Sequence, residues 1–324
     1  MRKYLITGYA GFVGYHFISY INSYSKEKTQ ILGIDVNIPF DSALWDFPNV
    51  EVIHKNINLL NQEEVFSTIS DFKPTHIIHL ASLSSVGLSW QNPAGYFSNN
   101  TGIFLNLIEA VRNFNLNCKI LNIGSSEEYG FVDEKNLPLV EEMSINPVNP
   151  YAVTKMAQES LSNVYNLGFG MNIVSTRSFN HIGPRQRDTF VVASFTKQVA
   201  QASIEGKKTL TMITGNLNVV RDFLDVRDVV SAYNMLLEKG KSGEIYNVCS
   251  GEGIALTTII NELSNISGIN ISTQTDQKLV RPNDMPRILG SNSKLKKDTN
   301  WQRKYTLHET LIDTFNYWKK QLSN

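Results

Sequence analysis

The chain has 324 residues, with 30 Lys and Arg against 30 Asp and Glu, so its formal charge is zero. A length beyond the roughly 250–300 residues at which one core stops growing points to two lobes, and the absence of net basic charge excludes a general nucleic-acid binder. Apolar residues at 42% with charged residues at 19% exclude a disordered chain, and two cysteines, Cys118 and Cys249, exclude a disulfide framework or a four-cysteine zinc site.

Met1–Gly8 runs straight into a short apolar strand and a glycine, without the shape of a signal peptide. No run approaches the roughly 18–20 apolar residues that span a bilayer. The expectation is a soluble cytoplasmic protein with neither nucleic acid nor membrane as partner.

The first apolar strand, Tyr4–Thr7, leads into Gly8, Gly11 and Gly14, spaced G-x-x-G-x-x-G, with Phe12 and Val13 opening a helix. Glycine at these places allows a tight turn and lets the backbone approach a pyrophosphate at the helix N-terminus. The second strand, Gln30–Asp35, ends on an acid 21 residues past Gly14, near the spacing of the carboxylate that takes a ribose 2′-hydroxyl. Such a carboxylate repels a 2′-phosphate, so the expected cofactor is NAD rather than NADP. Further buried strands are expected at His76–Ala81, Lys119–Gly124 and Asn172–Arg177, with helical spacing over Gly102–Asn113 and Tyr151–Leu167. This alternation means βαβ units: a Rossmann-type α/β fold with a doubly wound parallel sheet, whose crevice opens at the carboxyl ends of the strands.

The fourth of these strands ends on Ser125, Ser126, Glu127 and Glu128. Ser125 can hydrogen-bond a reacting hydroxyl, and acidic side chains at a sheet crevice are costly unless paired or used. Tyr151 and Lys155 then share a helix face at i and i+4, where an ammonium can bring a phenol toward the range of a general base. After Phe179 the pattern changes: a loop-like His181–Phe190, a helix over Phe190–Glu205, a strand at Tyr246–Cys249 and an amphipathic helix at Tyr305–Lys320. The expected division is a dinucleotide lobe of residues 1–178 plus about 222–250, and a smaller α/β substrate lobe of about 179–221 plus 251–324. The six histidines and the cysteines have no metal-ligand spacing.

With these features together, the chain resembles an extended short-chain dehydrogenase/reductase of the nucleotide-sugar-modifying group. The marks are Gly8–Gly14, His79-Leu80-Ala81-Ser82, Asn99, Ser125, and Tyr151 with Lys155. Within that group it is most similar to the GDP-sugar branch, through Ser125–Gly130, Arg177–Pro184, Gly215-Asn216-Leu217, Arg221-Asp222-Phe223 and Arg281-Pro282. The resemblance implies a tightly bound nicotinamide dinucleotide touched by Gly8, Gly11, Phe12, Val13, Gly14, Asp35, Asn56, Ile57, Leu80, Ala81, Ser82, Asn99, Tyr151 and Lys155. It implies Tyr151 as acid/base, Lys155 holding its pKa down, and Ser125 at the sugar 4-hydroxyl. It also implies a GDP-linked sugar bound through Ser126, Glu128, Asn180, Arg221, Arg281 and Asp284, and a homodimer or dimer of dimers paired through two long helices. Two positions depart from the branch: Asn56 stands where an adenine-side acid is usual, and Asp35-Val36-Asn37 where basic residues read a 2′-phosphate.

Three reactions share this scaffold. Glu127 argues against a 4-epimerase and supplies the extra acid that a 4,6-dehydratase needs at C6. Asp35, by pointing to a retained NAD, tilts the expectation to a GDP-hexose 4,6-dehydratase. The alternative is a GDP-4-keto-6-deoxyhexose reductase, which Arg221–Phe223 and Val280–Pro286 resemble more. A non-catalytic nucleotide-sensing Rossmann protein is the remote alternative.

Overall fold

The computed structural model describes residues 1–25, 28–37, 45–279 and 285–323. The first half runs β1 (Arg2–Thr7), α1 (Phe12–Tyr24), β2 (Thr29–Asp35), β3 (Val50–Asn56), α2 (Gln62–Phe72), β4 (His76–His79), α3 (Val86–Ser89), α4 (Pro93–Asn113), β5 (Lys119–Ser125), α5 (Pro150–Phe169) and β6 (Asn172–Ser178). The second half runs β7 (Asn180–Ile182), α6 (Val191–Ile204), β8 (Thr209–Thr214), β9 (Val220–Asp225), α7 (Val226–Lys239), β10 (Ile245–Val248), β11 (Gly253–Ala255), α8 (Leu256–Ser267), β12 (Asn270–Thr275), α9 (Ser293–Thr299) and α10 (Leu307–Ser323). A seven-stranded sheet, ordered β3-β2-β1-β4-β5-β6-β10, is parallel at every pair. Helices cover both faces, which is why β1, β2, β4 and β5 read as unbroken apolar runs.

One face carries a core of Phe17, Ile18, Tyr233, Leu236 and Trp301. The other carries Ile69, Phe104, Leu107, Ile108 and Ile120. Burial of each such side chain stabilises the fold by roughly 1.5–3 kcal/mol. The two long helices start alike: Asn92 and Asn149 cap α4 and α5 by accepting the Gly95 and Ala152 N–H groups at 3.0 and 2.8 Å, each ahead of a proline in the first turn. Strand order reverses between β1 and β4, so the crevice opens at their carboxyl ends.

The second lobe holds a three-stranded sheet, β11-β9-β7, and a parallel pair, β12 with β8. Its core joins Phe195, Val199, Ile259, Leu263, Leu311 and Phe315. The expected division at residue 222 falls inside β9, which belongs to the small sheet. The segment from α9 to Trp301, expected in the small lobe, returns to the large one. The indole explains the return: Trp301 Nε1 donates to Asp228 O and Ser231 Oγ at 3.2 and 2.9 Å while its rings bury against α7. Among the described residues no helix is long and apolar enough to cross a membrane.

Candidate active site

The glycine turn lies at the strand reversal. Gly8 has φ +70°, and a Cβ there would sit 2.7 Å from Ala81 N and 2.9 Å from Ala81 Cα. The end of β4 closes against it, with Leu80 N–H donating to Thr7 O at 3.1 Å and Ala81 N–H to Thr7 Oγ1 at 3.2 Å. A Cβ at Gly14 would come within 2.3 Å of Tyr9 O, so α1 can start only where it does. Gly11 caps α1 without a side chain, leaving the first-turn N–H groups at Phe12 and Val13 to an outside acceptor. The cradle fits a dinucleotide pyrophosphate.

Asp35 stands at its rim. Oδ2 accepts the Ala10 N–H and Oδ1 the Asn37 N–H, both at 3.2 Å, which orients the carboxylate and leaves lone pairs for ribose hydroxyls. Asn56 pairs with Asp35 in register and is exposed, while Ile57 is buried and donates its N–H to Asp35 O at 3.0 Å. Ser82 and Asn99 are half-buried; Ser82 Oγ donates to Leu83 O, and Asn99 Nδ2 to Asn100 Oδ1.

The second cluster forms where β5 meets the first turn of α5. The Tyr151 hydroxyl lies close enough to the Ser125 side chain to be lowered in pKa by it, against the larger effect of burial. Ser125 Oγ also accepts the Glu127 N–H at 3.2 Å, which fixes it at the strand end. Glu127 is half-buried, and its Oε2 accepts from Asn149 Nδ2 at 2.8 Å. Asn149 thus caps α5 with one side-chain atom and holds Glu127 with the other. Sequence reasoning passed over it, although asparagine before a first-turn proline is a helix-start signal.

Lys155 makes its hydrogen bonds away from the phenol. Its Nζ lies 5.9 Å from the Tyr151 ring centroid and donates to Ile123 O at 2.8 Å and Gln158 Oε1 at 3.1 Å, not to the phenol. Gln158 is held in turn by Asn100 O at 2.6 Å. Burial brings the Lys155 ammonium down to about 8, against the opposing pull of Glu128. The Tyr151 phenol is pushed up rather than down, first by burial and then by the charges of Glu128 and Glu127.

Ser126 and Glu128 are placed inside the protein. Both are buried, and Glu128 Oε1 turns back to accept the Ser125 N–H at 2.6 Å. On the other wall, Asn180 is exposed and donates Nδ2 to Asp222 O at 3.3 Å, and half-buried Arg221 donates to Val220 O at 2.9 Å. Asp222, fully buried, gathers the Ser250 N–H and hydroxyl, both at 2.7 Å, and the Gly251 N–H at 3.0 Å, and so shapes the loop after β10. Arg281 and Asp284 lie outside the described residues.

A family model described as GDP-mannose 4,6 dehydratase matches residues 5–314. The chain belongs to this family. Its members are extended short-chain dehydrogenases/reductases with nucleotide-sugar epimerases and dehydratases among their relatives, and this chain is an enzyme of that kind. It is 32% identical to the GDP-6-deoxy-D-mannose reductase of Pseudomonas aeruginosa, over 99% of this chain and 98% of the relative. It is 29% identical to the GDP-6-deoxy-D-talose 4-dehydrogenase of Aggregatibacter actinomycetemcomitans, over 90% of each. A solved structure of RMD from Pseudomonas aeruginosa complexed with NADPH superposes with a TM-score of 0.86 at 31% identity, covering 99% of this chain and 100% of that one. The Rossmann architecture expected of the family is the one observed.

Proposed function

We propose that this family member is a GDP-4-keto-6-deoxyhexose reductase, which adds hydride and a proton across the C4 carbonyl to give a GDP-6-deoxyhexose. The observation that carries this reading is the placing of Tyr151 on the first turn of α5 beside Ser125 at the end of β5: a phenol whose pKa burial pushes up, next to a serine hydroxyl, is a proton donor suited to a carbonyl oxygen. The relatives named for a GDP-6-deoxy sugar, over nearly the whole chain, support it.

The main-chain groups at Gly8, Gly11, Phe12, Val13 and Gly14 would hold the dinucleotide pyrophosphate, and Asp35 the adenosine ribose. Asn56 and Ile57 would border the adenine, and Leu80, Ala81, Ser82 and Asn99 the middle of the cofactor. Lys155 would meet the nicotinamide ribose. When bound, the nicotinamide supplies the hydride. Tyr151 gives its proton to the C4 oxygen as the alcohol forms, and Ser125 Oγ shares that oxygen and orients it. Arg221, with Arg281, would neutralise the sugar diphosphate, the task for which guanidinium is best suited, and Asn180 would add a polar contact. The anchored Asp35 carboxylate makes NADH the preferred donor, in contrast to the NADPH of the solved relative.

A second reading, the GDP-hexose 4,6-dehydratase, is favoured by one feature: the Glu127 carboxylate, fixed by Asn149 beside Tyr151, is a second acid where a C6–O bond could break. One experiment separates the two. Purified enzyme is given a GDP-4-keto-6-deoxyhexose with NADH, and separately GDP-mannose without added cofactor. Stoichiometric NADH consumption in the first arm with no turnover in the second supports the reductase. Conversion of GDP-mannose to its 4-keto-6-deoxy product without net NADH would replace it with the dehydratase.

A further inference from the structure

Glu128 sits in the short turn Ser126–Tyr129 that follows β5, and its side chain is 0% exposed. Oε1 accepts the Ser125 N–H, and Oε2 is buried with no hydrogen-bond partner. The fit depends on Gly124, where a Cβ would lie 2.6 Å from Oε1 and 2.3 Å from Thr176 O. The strand is therefore bare one residue before its end, so that the carboxyl can fold back beneath Ser125.

The charges around it are already committed elsewhere. Arg177, on β6, binds Glu159 of α5 through two hydrogen bonds of 2.9 and 2.8 Å, donates to Glu141 O at 3.1 Å, and lies 4.7 Å from the Tyr129 ring centroid. Lys155, on α5, is spent on Ile123 O and Gln158. Among the described residues no ion pair includes Glu128. A buried carboxyl without a direct counter-ion is costly, and its field is felt by neighbours. Burial and the charge of Glu159 push the Glu128 carboxyl up to about 8, against the pull of Arg177 and Lys155, so its charge develops on the alkaline side of neutrality. Tyr151 is faced by Glu128 and Glu127 from the turn, by Ser125 from β5, by Tyr233 from α7 and, 5.9 Å from its ring centroid, by Lys155 of its own helix; of the two carboxyls Glu128 acts the more strongly.

We propose that Glu128 is a positioning residue for the proton-donating pair: one carboxyl oxygen fixes Ser125 beside the Tyr151 hydroxyl, and above neutral pH, where the carboxyl ionises, its enclosed charge opposes loss of the Tyr151 proton. This rests on Tyr151 being the proton donor. It assigns no contact between Glu128 and substrate.

Two variants separate the tether from the charge. Glu128→Gln keeps an acceptor for the Ser125 N–H and removes the charge. It should leave KM and the thermal midpoint near wild type, and move the alkaline limb of kcat to lower pH by about one unit, because ionisation of Tyr151 is no longer opposed. Glu128→Asp keeps the charge but falls short of Ser125; kcat should drop roughly tenfold with the limb unmoved, as expected for a misplaced group. An unmoved limb in Glu128→Gln, or failure of both variants to fold, would overturn the proposal. A wild-type enzyme inactive on the 4-keto sugar would defeat the reductase reading alone. The inference would then be read on oxidation of a GDP-hexose, whose rising limb needs ionised Tyr151 and should shift downward by the same amount.

Discussion

At Tyr151 the environment favours the acid form, and a reduction needs that form. Tyr151→Phe removes the proton and keeps the ring, so turnover should fall by roughly 10²–10⁴ with cofactor affinity unchanged, as checked by steady-state kinetics and dinucleotide titration. A smaller loss would move the proton donor elsewhere. At Asp35 the sign is set by charge: NADH should outperform NADPH in kcat/KM at least tenfold, and Asp35→Ala should narrow that ratio by removing the repulsion on a 2′-phosphate. Equal ratios in both proteins would remove Asp35 from that role. His79 carries a pH dependence of stability. Its Nδ1 pairs with Thr7 Oγ1 at 2.9 Å, and burial, aided by Lys155, holds the ring down to about 3 against an ordinary 6.5. The folded state therefore refuses a proton that the unfolded state accepts, so this contribution is complete above about 6.5 and is lost as the pH falls toward 3. Urea midpoints of wild type and His79→Gln should converge as the pH is lowered from 7 to 4.

The strand-helix turn after β1 is where local sequence dictated most. At Gly8, φ +70° and the contact with Ala81 both exclude a side chain. Gly8→Ala should cost about 2 kcal/mol or more from left-handed strain alone, and should weaken dinucleotide binding further by pushing Leu80 and Ala81 away. Thermal midpoints and dinucleotide titration of the variant check both effects. The elements of the large sheet were legible because they are buried on both faces: β1, β2, β5 and β6 match their apolar runs to within two residues at either end. The small-lobe strands were not. β8, TLTMIT, and β12, NISTQT, pair only with each other and are largely solvent-facing, so tertiary pairing rather than apolar content makes them strands. At the site, spacing brought out the glycines, Asp35, Ser125 and the Tyr151–Lys155 helix face. The hydrogen-bond partners of Lys155 were not legible, since they depend on which carbonyl the ammonium meets first, a matter of packing between β5 and α5. Glu128 went the same way: two adjacent glutamates look alike in sequence, and only the bare Gly124 turns the second inward.

At the scale of the whole molecule the lobes are sewn together by polar contacts as well as by chain crossings. His16 of α1 bonds Pro184 O at 2.9 Å, and Arg227 at the start of α7 joins Asp225 and reaches Asp313 of α10, each at 2.7 Å. These contacts tie the glycine-turn helix and the large-lobe helix α7 to the wall that carries Asn180 and Arg221, so the two halves of the site keep their spacing. The outer face is different. Phe97 and Leu105 of α4 and Val164 and Leu167 of α5 leave apolar side chains in solvent, with Val164 57% and Leu167 77% exposed. Phe97 and Leu105, with Thr101 between them, share one face of α4, and Val153, Ala157, Val164 and Leu167, with Ser160 among them, share one face of α5, by their spacing of three and four. Two adjacent helices with outward faces that are largely apolar suit a two-fold pairing of identical chains. The homodimer that the family resemblance implies would be built on α4 and α5. Leu167→Asp tests it cleanly, because a charge at so exposed a position costs an isolated chain little, usually within about 0.5 kcal/mol. In a dimer the same charge is buried twice across the axis, facing its own copy. Sedimentation should give the mass of two chains for wild type and of one chain for the variant, with the thermal midpoint of the variant becoming independent of protein concentration. A wild-type protein that sediments as one chain, or a variant that still sediments as two, would place the interface elsewhere or remove it.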